Sequence, residues 1–258
     1  MNTMSHPRLS VLIVARNEEG CLEGCLDSAA FADEIVVVLD RSTDKSRDIA
    51  AAKGAKVVEG AWPDEGDRRN FAIAQCNGEW ILELDADERI SDELRHEMTI
   101  TLCAAPPGHF VIPFHNYFCG KWVKHGWGAY NGVAAKNCLF ARGMKTWGPG
   151  EVHPVITLSG PKIYMTGHID HYVDHSIEEM LKRLDWYSSG AAKNAIDQGK
   201  IPSALNTVRR IFSRFGRSYL IRKGCLEGWR GFAIALFSGL YPLLTYIKIR
   251  DIQSRDNP

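Results

Sequence analysis

The chain has no excess charge of either sign: 31 Lys and Arg stand against 31 Asp and Glu in 258 residues. It shows no motif of a nucleic-acid-binding fold, so nucleic acid is not an expected partner. Seven cysteines are scattered with no CxxC pair and an odd total, which excludes the usual zinc and redox spacings. They read as buried thiols in a reducing compartment. Cys21 and Cys25 lie one helical turn apart but have no His or further Cys nearby. No glycine-rich loop follows the first apolar run, where Ala15-Arg16-Asn17-Glu18-Glu19 stands instead. That disfavours a triphosphate-cradling pyrophosphorylase and a dinucleotide oxidoreductase. No charged segment followed by a long apolar run opens the sequence, so no signal peptide is expected. Residues 232–247 are apolar but interrupted by Gly239 and Pro242, and a full span needs about 20 residues. A surface-lying or buried segment is expected there, not a crossing helix. Internal repeats and low-complexity linkers are also missing.

What is present is an ordinary globular composition, 45% apolar and 24% charged, large enough for one α/β domain with a helical appendage. The charge is unevenly placed. Residues 200–258 carry eleven Lys and Arg against Glu227, Asp251 and Asp256, a net +8, which leaves −8 for the rest. Such a tail suits an anionic surface. Arg209, Arg210, Arg214 and Arg217 fall at spacings that place several on one helical face beside an apolar run, the pattern of an interfacial helix. A soluble helix with a solvated basic face has the same pattern.

Apolar runs at Leu9–Ala15, Glu34–Leu39 and Trp80–Leu84 read as buried strands, and Val57–Glu59 as a short one. Helices are expected after Asn17 as cap, from Ser42 or Thr43 to Ala52, over Asp67–Cys76, and from Ser91 to about Leu102. Alternation of this kind implies right-handed crossovers and a mostly parallel sheet. Residues 108–172 are rich in glycine and aromatic residues, with strand-like pieces at 110–117, 133–140 and 162–169. A helix from Ser176 to Ile196 follows.

Asp85-Ala86-Asp87 closes a buried strand at the carboxyl edge of that sheet, where α/β ligands bind. Spacing i, i+2 along an extended chain turns both carboxylates to one side. Two hard oxygen donors suit Mg²⁺ or Mn²⁺ bridging nucleotide phosphates; the same acids can also only open a loop. Asp40 ends the second strand and can accept from a base imide or ribose hydroxyl. Arg69-Asn70 offers either a solvated helix face or a contact to a diphosphate. Trp122, Trp127, Tyr130 and Trp147 are numerous enough for one or two to stack on sugar rings, with the others in the core.

In order, VLIVARNEE, VVVLDRSTD and DRRNFAIAQCNGEWILELDADE resemble the nucleotide-binding half of family-2 glycosyltransferases. VHP at 152–154, the His171-Tyr172 pair and the final KGCLEGWRGFAIALFSGLYPLLTYIKI resemble the branch that includes lipopolysaccharide-core β-1,4-glucosyltransferases. The resemblance implies the GT-A nucleotide-diphospho-sugar transferase fold over residues 1–200. Its nucleotide-binding half would be 7–105 and its acceptor half 106–175, with a basic amphipathic helical region at 201–258. It also implies an inverting hexosyltransferase using a nucleotide sugar, UDP-glucose by default, with Mg²⁺ or Mn²⁺. The acceptor would be a lipid-linked or lipopolysaccharide glycan, and the enzyme cytoplasmic, peripheral on the inner face of the membrane. Arg16, Asn17, Glu18, Asp40, Arg69, Asn70 and Asp85 would bind the nucleotide, and Asp85, Asp87 and His171 the metal.

Two positions depart from the branch. Leu39 stands where Asp is common, which moves the nucleoside contact to Asp40. Pro154 stands where Glu is common, so Glu151 is the expected catalytic base, with Asp170 in reserve. The same departure leaves open a glycan- or membrane-binding module that has lost the chemistry.

Overall fold

The computed structural model describes residues 8–128, 132–149 and 154–256. In chain order the first elements are β1 (Leu9–Ala15), α1 (Leu22–Ala29), β2 (Glu34–Asp40), α2 (Ser46–Ala52), β3 (Lys56–Gly60), α3 (Glu65–Ala74) and β4 (Trp80–Leu84). Next come β5 (Glu88–Ile90), α4 (Asp92–Thr101), β6 (His109–Phe118), β7 (Lys121–Trp122), β8 (Ala135–Ala141), β9 (Lys145–Trp147), β10 (Ile156–Leu158), β11 (Lys162–Tyr164) and β12 (Ile169–Asp174). The chain closes with α5 (Ile177–Asp197), α6 (Ala204–Gly216) and α7 (Gly228–Asp256).

The chain forms two compact units. The first comprises residues 1–114 and 135–171, the second 115–134 and 172–258. This differs from the division expected at residue 200. Helix α5 belongs with the later helices because its Met180 and Leu184 share a buried cluster with Ala233, Ile234 and Phe237 of α7.

In the first unit, β3-β2-β1-β4 are parallel neighbours, and β8 pairs antiparallel with both β4 and β6. All seven residues of β1 are buried. Its side chains alternate between two cores, Val11 and Ile13 packing with Leu26 and Leu84, Leu12 and Val14 with Val36 and Phe140. A strand buried on both faces cannot alternate apolar with polar, which is why β1 and β4 read as unbroken apolar runs. The helices begin where side chains satisfy free backbone N–H groups: Asp64 Oδ1 accepts from Asp67 N (2.8 Å) and Ser91 Oγ from Leu94 N (3.1 Å).

The second unit holds a correction. Helix α7 runs unbroken for 29 residues through Gly239 and Pro242, where an interruption was expected. Proline at 242 removes one N–H from the ladder and crowds the carbonyl four residues back, yet the helix continues, with Pro242 buried among its neighbours. A Cβ at Gly239 would stand 3.1 Å from the Ile211 carbonyl oxygen, so the glycine admits α6 to close approach and is no breaker. By length and composition this helix is apolar enough to cross a bilayer, although half of its most apolar window is buried.

Candidate active site

The loops after β1 and β2 meet at the carboxyl ends of their strands. Asn17 N donates to Ser42 Oγ (3.1 Å), Glu18 N to Ser46 Oγ (2.9 Å) and Glu19 N to Asp44 Oδ2 (2.9 Å). In return Thr43 N donates to Asn17 Oδ1 (2.8 Å) and Lys45 N to Glu19 Oε2 (3.0 Å). Asn17 therefore does not cap α1, which starts at Leu22; it takes a left-handed conformation (φ 57°) and pins one loop to the other. Ser42 and Thr43 likewise serve this seam, and α2 starts only at Ser46. Arg16 is exposed beside it.

Asp40 is 3% exposed at the end of β2. Arg41 Nε and Nη2 donate to its two oxygens at 2.8 and 2.9 Å, and Arg68 Nη1 donates to Oδ2 at 2.9 Å. Burial alone would raise this carboxyl; the Arg41 hydrogen bond, the Trp62 N–H and both guanidinium charges outweigh it and hold it below the ordinary value. Both oxygens thus face arginines, and Asp40 orients Arg41 and Arg68.

Asn70 is also turned inward. Its amide grips the Trp147 backbone, Nδ2 donating to the carbonyl (2.7 Å) and Oδ1 accepting from the N–H (2.9 Å). The Trp147 indole N–H donates to Glu83 (3.1 Å), which also pairs with the buried Lys145 ammonium. Trp147 is therefore a fixed part of the first unit, with the Arg69 guanidinium 5.4 Å from its ring centroid.

Asp85-Ala86-Asp87 makes a turn, closed by Glu88 N donating to Asp85 O (3.0 Å). The two-residue alternation expected of an extended chain does not apply in a turn, and the two aspartates take different partners. Asp85 accepts from Arg69 Nη2 (2.9 Å) and Lys136 Nζ (2.9 Å). Burial opposes its charge, but the Lys136 and Arg69 charges hold it well below the ordinary carboxylate range. Asp87 Oδ2 instead lies 3.4 Å from His171 Nε2.

The pairing of β5 with β12 sets Glu88 directly opposite His171. Ligand atoms of Asp87, Glu88 and His171 all lie within 4.8 Å of one another. Burial raises the Glu88 carboxyl, as do the Asp85 and Asp87 charges, against Lys136 and His171. Burial disfavours imidazolium at His171, but the Asp87 hydrogen bond and the Asp87 and Glu88 charges raise it overall. Glu18 also faces this acidic group: burial, then Asp87, Asp44 and Asp85, push it up to about 7. Mutually repelling acids beside one imidazole are a donor set that fits a hard divalent cation. Asp87 and His171 are the best-placed ligands, because Glu88 already accepts from Asp85 N (3.0 Å) and from Lys136. The structure sets Asp85 apart from this trio.

Lys136 escaped sequence reading. It is the one charged residue of β8, set 4.8 Å from the Phe114 ring centroid and bonded to both Asp85 and Glu88. Glu151 and Tyr130 lie outside the described residues. Trp122 stacks on His115 (4.2 Å between centroids) and Trp127 packs against the second unit's core.

Residues 10–154 match the model of Glycosyl transferase family 2. A protein of Rickettsia bellii described as an uncharacterized glycosyltransferase is 28% identical, covering 100% of this chain and 91% of that one. The lipopolysaccharide core biosynthesis glycosyltransferase LpsC of Rhizobium meliloti is 28% identical over 93% of this chain and 91% of its own. Among solved structures, a Mycobacterium tuberculosis glucosyl-3-phosphoglycerate synthase with Mg²⁺ and UDP is 22% identical, with a TM-score of 0.37. It overlaps 43% of this chain and 44% of that one, a likeness too partial to bear on ligands. The family match runs from β1 to β9, including both zipped loops and the acidic turn, and with the sheet order it identifies a GT-A fold transferase: the chain belongs to glycosyl transferase family 2.

Proposed function

We propose that this enzyme transfers a hexose, glucose from UDP-glucose, with inversion onto a lipid-linked glycan of the lipopolysaccharide-core kind. The work would be done at the inner face of the cytoplasmic membrane. The observation that carries the proposal is the grouping of Asp87, Glu88 and His171 beside an Asp85 neutralised by Arg69 and Lys136. Asp87 and His171 would hold Mg²⁺ or Mn²⁺. When bound, that ion offsets charge on the departing diphosphate. Arg69 and Lys136 bring two cations to the same place through Asp85. Asn17 and Glu18, set by the seam between the two loops, would border the nucleoside. Asp40 would act by aiming Arg41 and Arg68, and Arg16 lies exposed at the mouth of the seam.

The acceptor hydroxyl oxygen attacks the anomeric carbon from the face opposite the diphosphate. The bond from that carbon to the diphosphate oxygen breaks, its electron pair leaving with the phosphate. The acceptor proton passes to a carboxylate, for which Glu151 is proposed. Backside displacement converts an α-linked donor into a β-linked product. Support for the acceptor class comes from the resemblance to LpsC across most of the chain.

The test is UDP release from UDP-glucose with Mn²⁺ and a truncated lipopolysaccharide acceptor, for the wild type and Asp87→Ala. Acceptor-dependent release by the wild type and none by the variant is expected. No release with any UDP-hexose, together with no donor-dependent rise in melting temperature, would overturn the proposal.

A further inference from the structure

The second unit carries an apolar surface that its own core does not use. On α6, Leu205, Val208 and Phe212 follow one another at helical spacing and are 81, 48 and 72% exposed. On α7, Trp229, Phe232 and Leu236 do the same and are also exposed. The two stripes adjoin: the Phe232 ring lies 5.9 Å from Phe215 of α6 and 6.0 Å from Tyr219. The turn between the helices adds exposed Leu220, Ile221 and Leu226. A contiguous apolar face of this kind on a polar-rimmed unit marks a binding surface.

Charge identifies the partner. Residues 198–226 contain seven Lys and Arg and no Asp or Glu. Arg209, Arg217 and Lys223 are exposed, and none pairs with a carboxylate among the described residues. Exposed apolar side chains flanked by unneutralised cations match the boundary between anionic headgroups and acyl chains. A protein partner would need an equally apolar face ringed with acids.

The packing of α7 also fixes how a bilayer is met. Its other side is committed inward, Ala233, Ile234 and Phe237 lying against Met180, Leu184 and Phe118. Lys248 Nζ donates to Asp185 Oδ1 (2.7 Å) and Ser188 Oγ (2.8 Å) of α5. Crossing the membrane would strip away those contacts. We propose that α6 and α7 form an in-plane anchor whose shared apolar face enters one leaflet of an anionic bilayer. This deepens the lipid-linked acceptor reading but is measured without donor or acceptor, so failed transfer and failed anchoring are separate results.

The test is flotation of the full chain with vesicles of phosphatidylcholine, alone or with about one third phosphatidylglycerol. Binding to the anionic vesicles is expected, at least about tenfold weaker for phosphatidylcholine alone and for Leu205→Ser/Phe212→Ser. Arg209→Glu/Arg217→Glu is expected to lose binding similarly while keeping the wild-type melting curve, as exposed residues allow. A C-terminal tag should remain open to external protease. No flotation with anionic vesicles, a tag protected inside them, or a solution dimer undone by Phe212→Ser would each overturn the proposal.

Discussion

Asp87 Oδ2 and His171 Nε2 stand 3.4 Å apart, although they are 84 positions apart in sequence. Strand β5 follows Asp87 directly, and its antiparallel register with β12 brings His171 to Glu88. A sheet contact, not local spacing, makes this donor pair.

If the pair holds the cation, removing either member should weaken metal-dependent donor binding before it affects the fold. For Asp87→Ala and His171→Ala, Mn²⁺-dependent affinity for UDP should fall by at least about tenfold in titration calorimetry. Asp87 is 34% exposed in the turn, so its loss should change melting without metal little, and less than the loss of His171, which is 13% exposed within β12. Unaltered Mn²⁺ dependence would remove them from the metal site.

Lys136 balances two acids, one of them fully buried. Lys136→Met leaves Glu88, only 1% exposed, without its cation. The cost should be about 2–3 kcal/mol in urea unfolding, below that of breaking a wholly buried pair because the lysine is 31% exposed. Adding Glu88→Gln should recover part of it. A loss no smaller in the double variant would show that Lys136 acts otherwise.

Glu18 should make stability depend on pH in a definite direction. Its carboxyl is raised from 4.5 to about 7 in the fold, so the folded state binds its proton more tightly than the unfolded chain. Ionisation therefore penalises the fold above about 7, and the penalty fades as pH falls towards 4.5. Glu18→Gln should melt higher than the wild type at alkaline pH, the gap closing on acidification. A gap independent of pH would mean that Glu18 is not under strain from its acidic neighbours.

Asn70 is a clamp on Trp147 in this structure, so Asn70→Ala should act on stability first. Leaving the Trp147 N–H and carbonyl unpaired should cost about 1–3 kcal/mol, read from chemical denaturation. A variant of wild-type stability with lost UDP affinity would restore Asn70 to direct nucleotide contact.

Much of the scaffold was legible from local pattern. Strands β1, β2 and β4 are apolar runs because both faces of the sheet are covered, and Ser91 and Ser176 mark helix starts through bonds made within three residues; α3 starts at Glu65 behind its cap Asp64, ahead of the Asp67 expected. Asn17 misled because its side chain bonds to Thr43, 26 positions away. The acidic turn misled for a related reason: a period of two holds only while the chain stays extended. Helix α7 persists through Pro242, a buried position in a helix packed against both α5 and α6.

Composition and order alone determined the alternating α/β scaffold, the family resemblance, and the acidic turn at a strand's carboxyl end. Those depend on local hydrogen bonds and burial, which short stretches of sequence encode. Tertiary structure alone decided that Glu88 joins Asp87 and His171, that Lys136 and Arg69 divide Asp85 between them, and that α6 and α7 share an exposed apolar face. Each results from strand register or helix packing between distant segments, where the energy lies in contacts that no single segment contains.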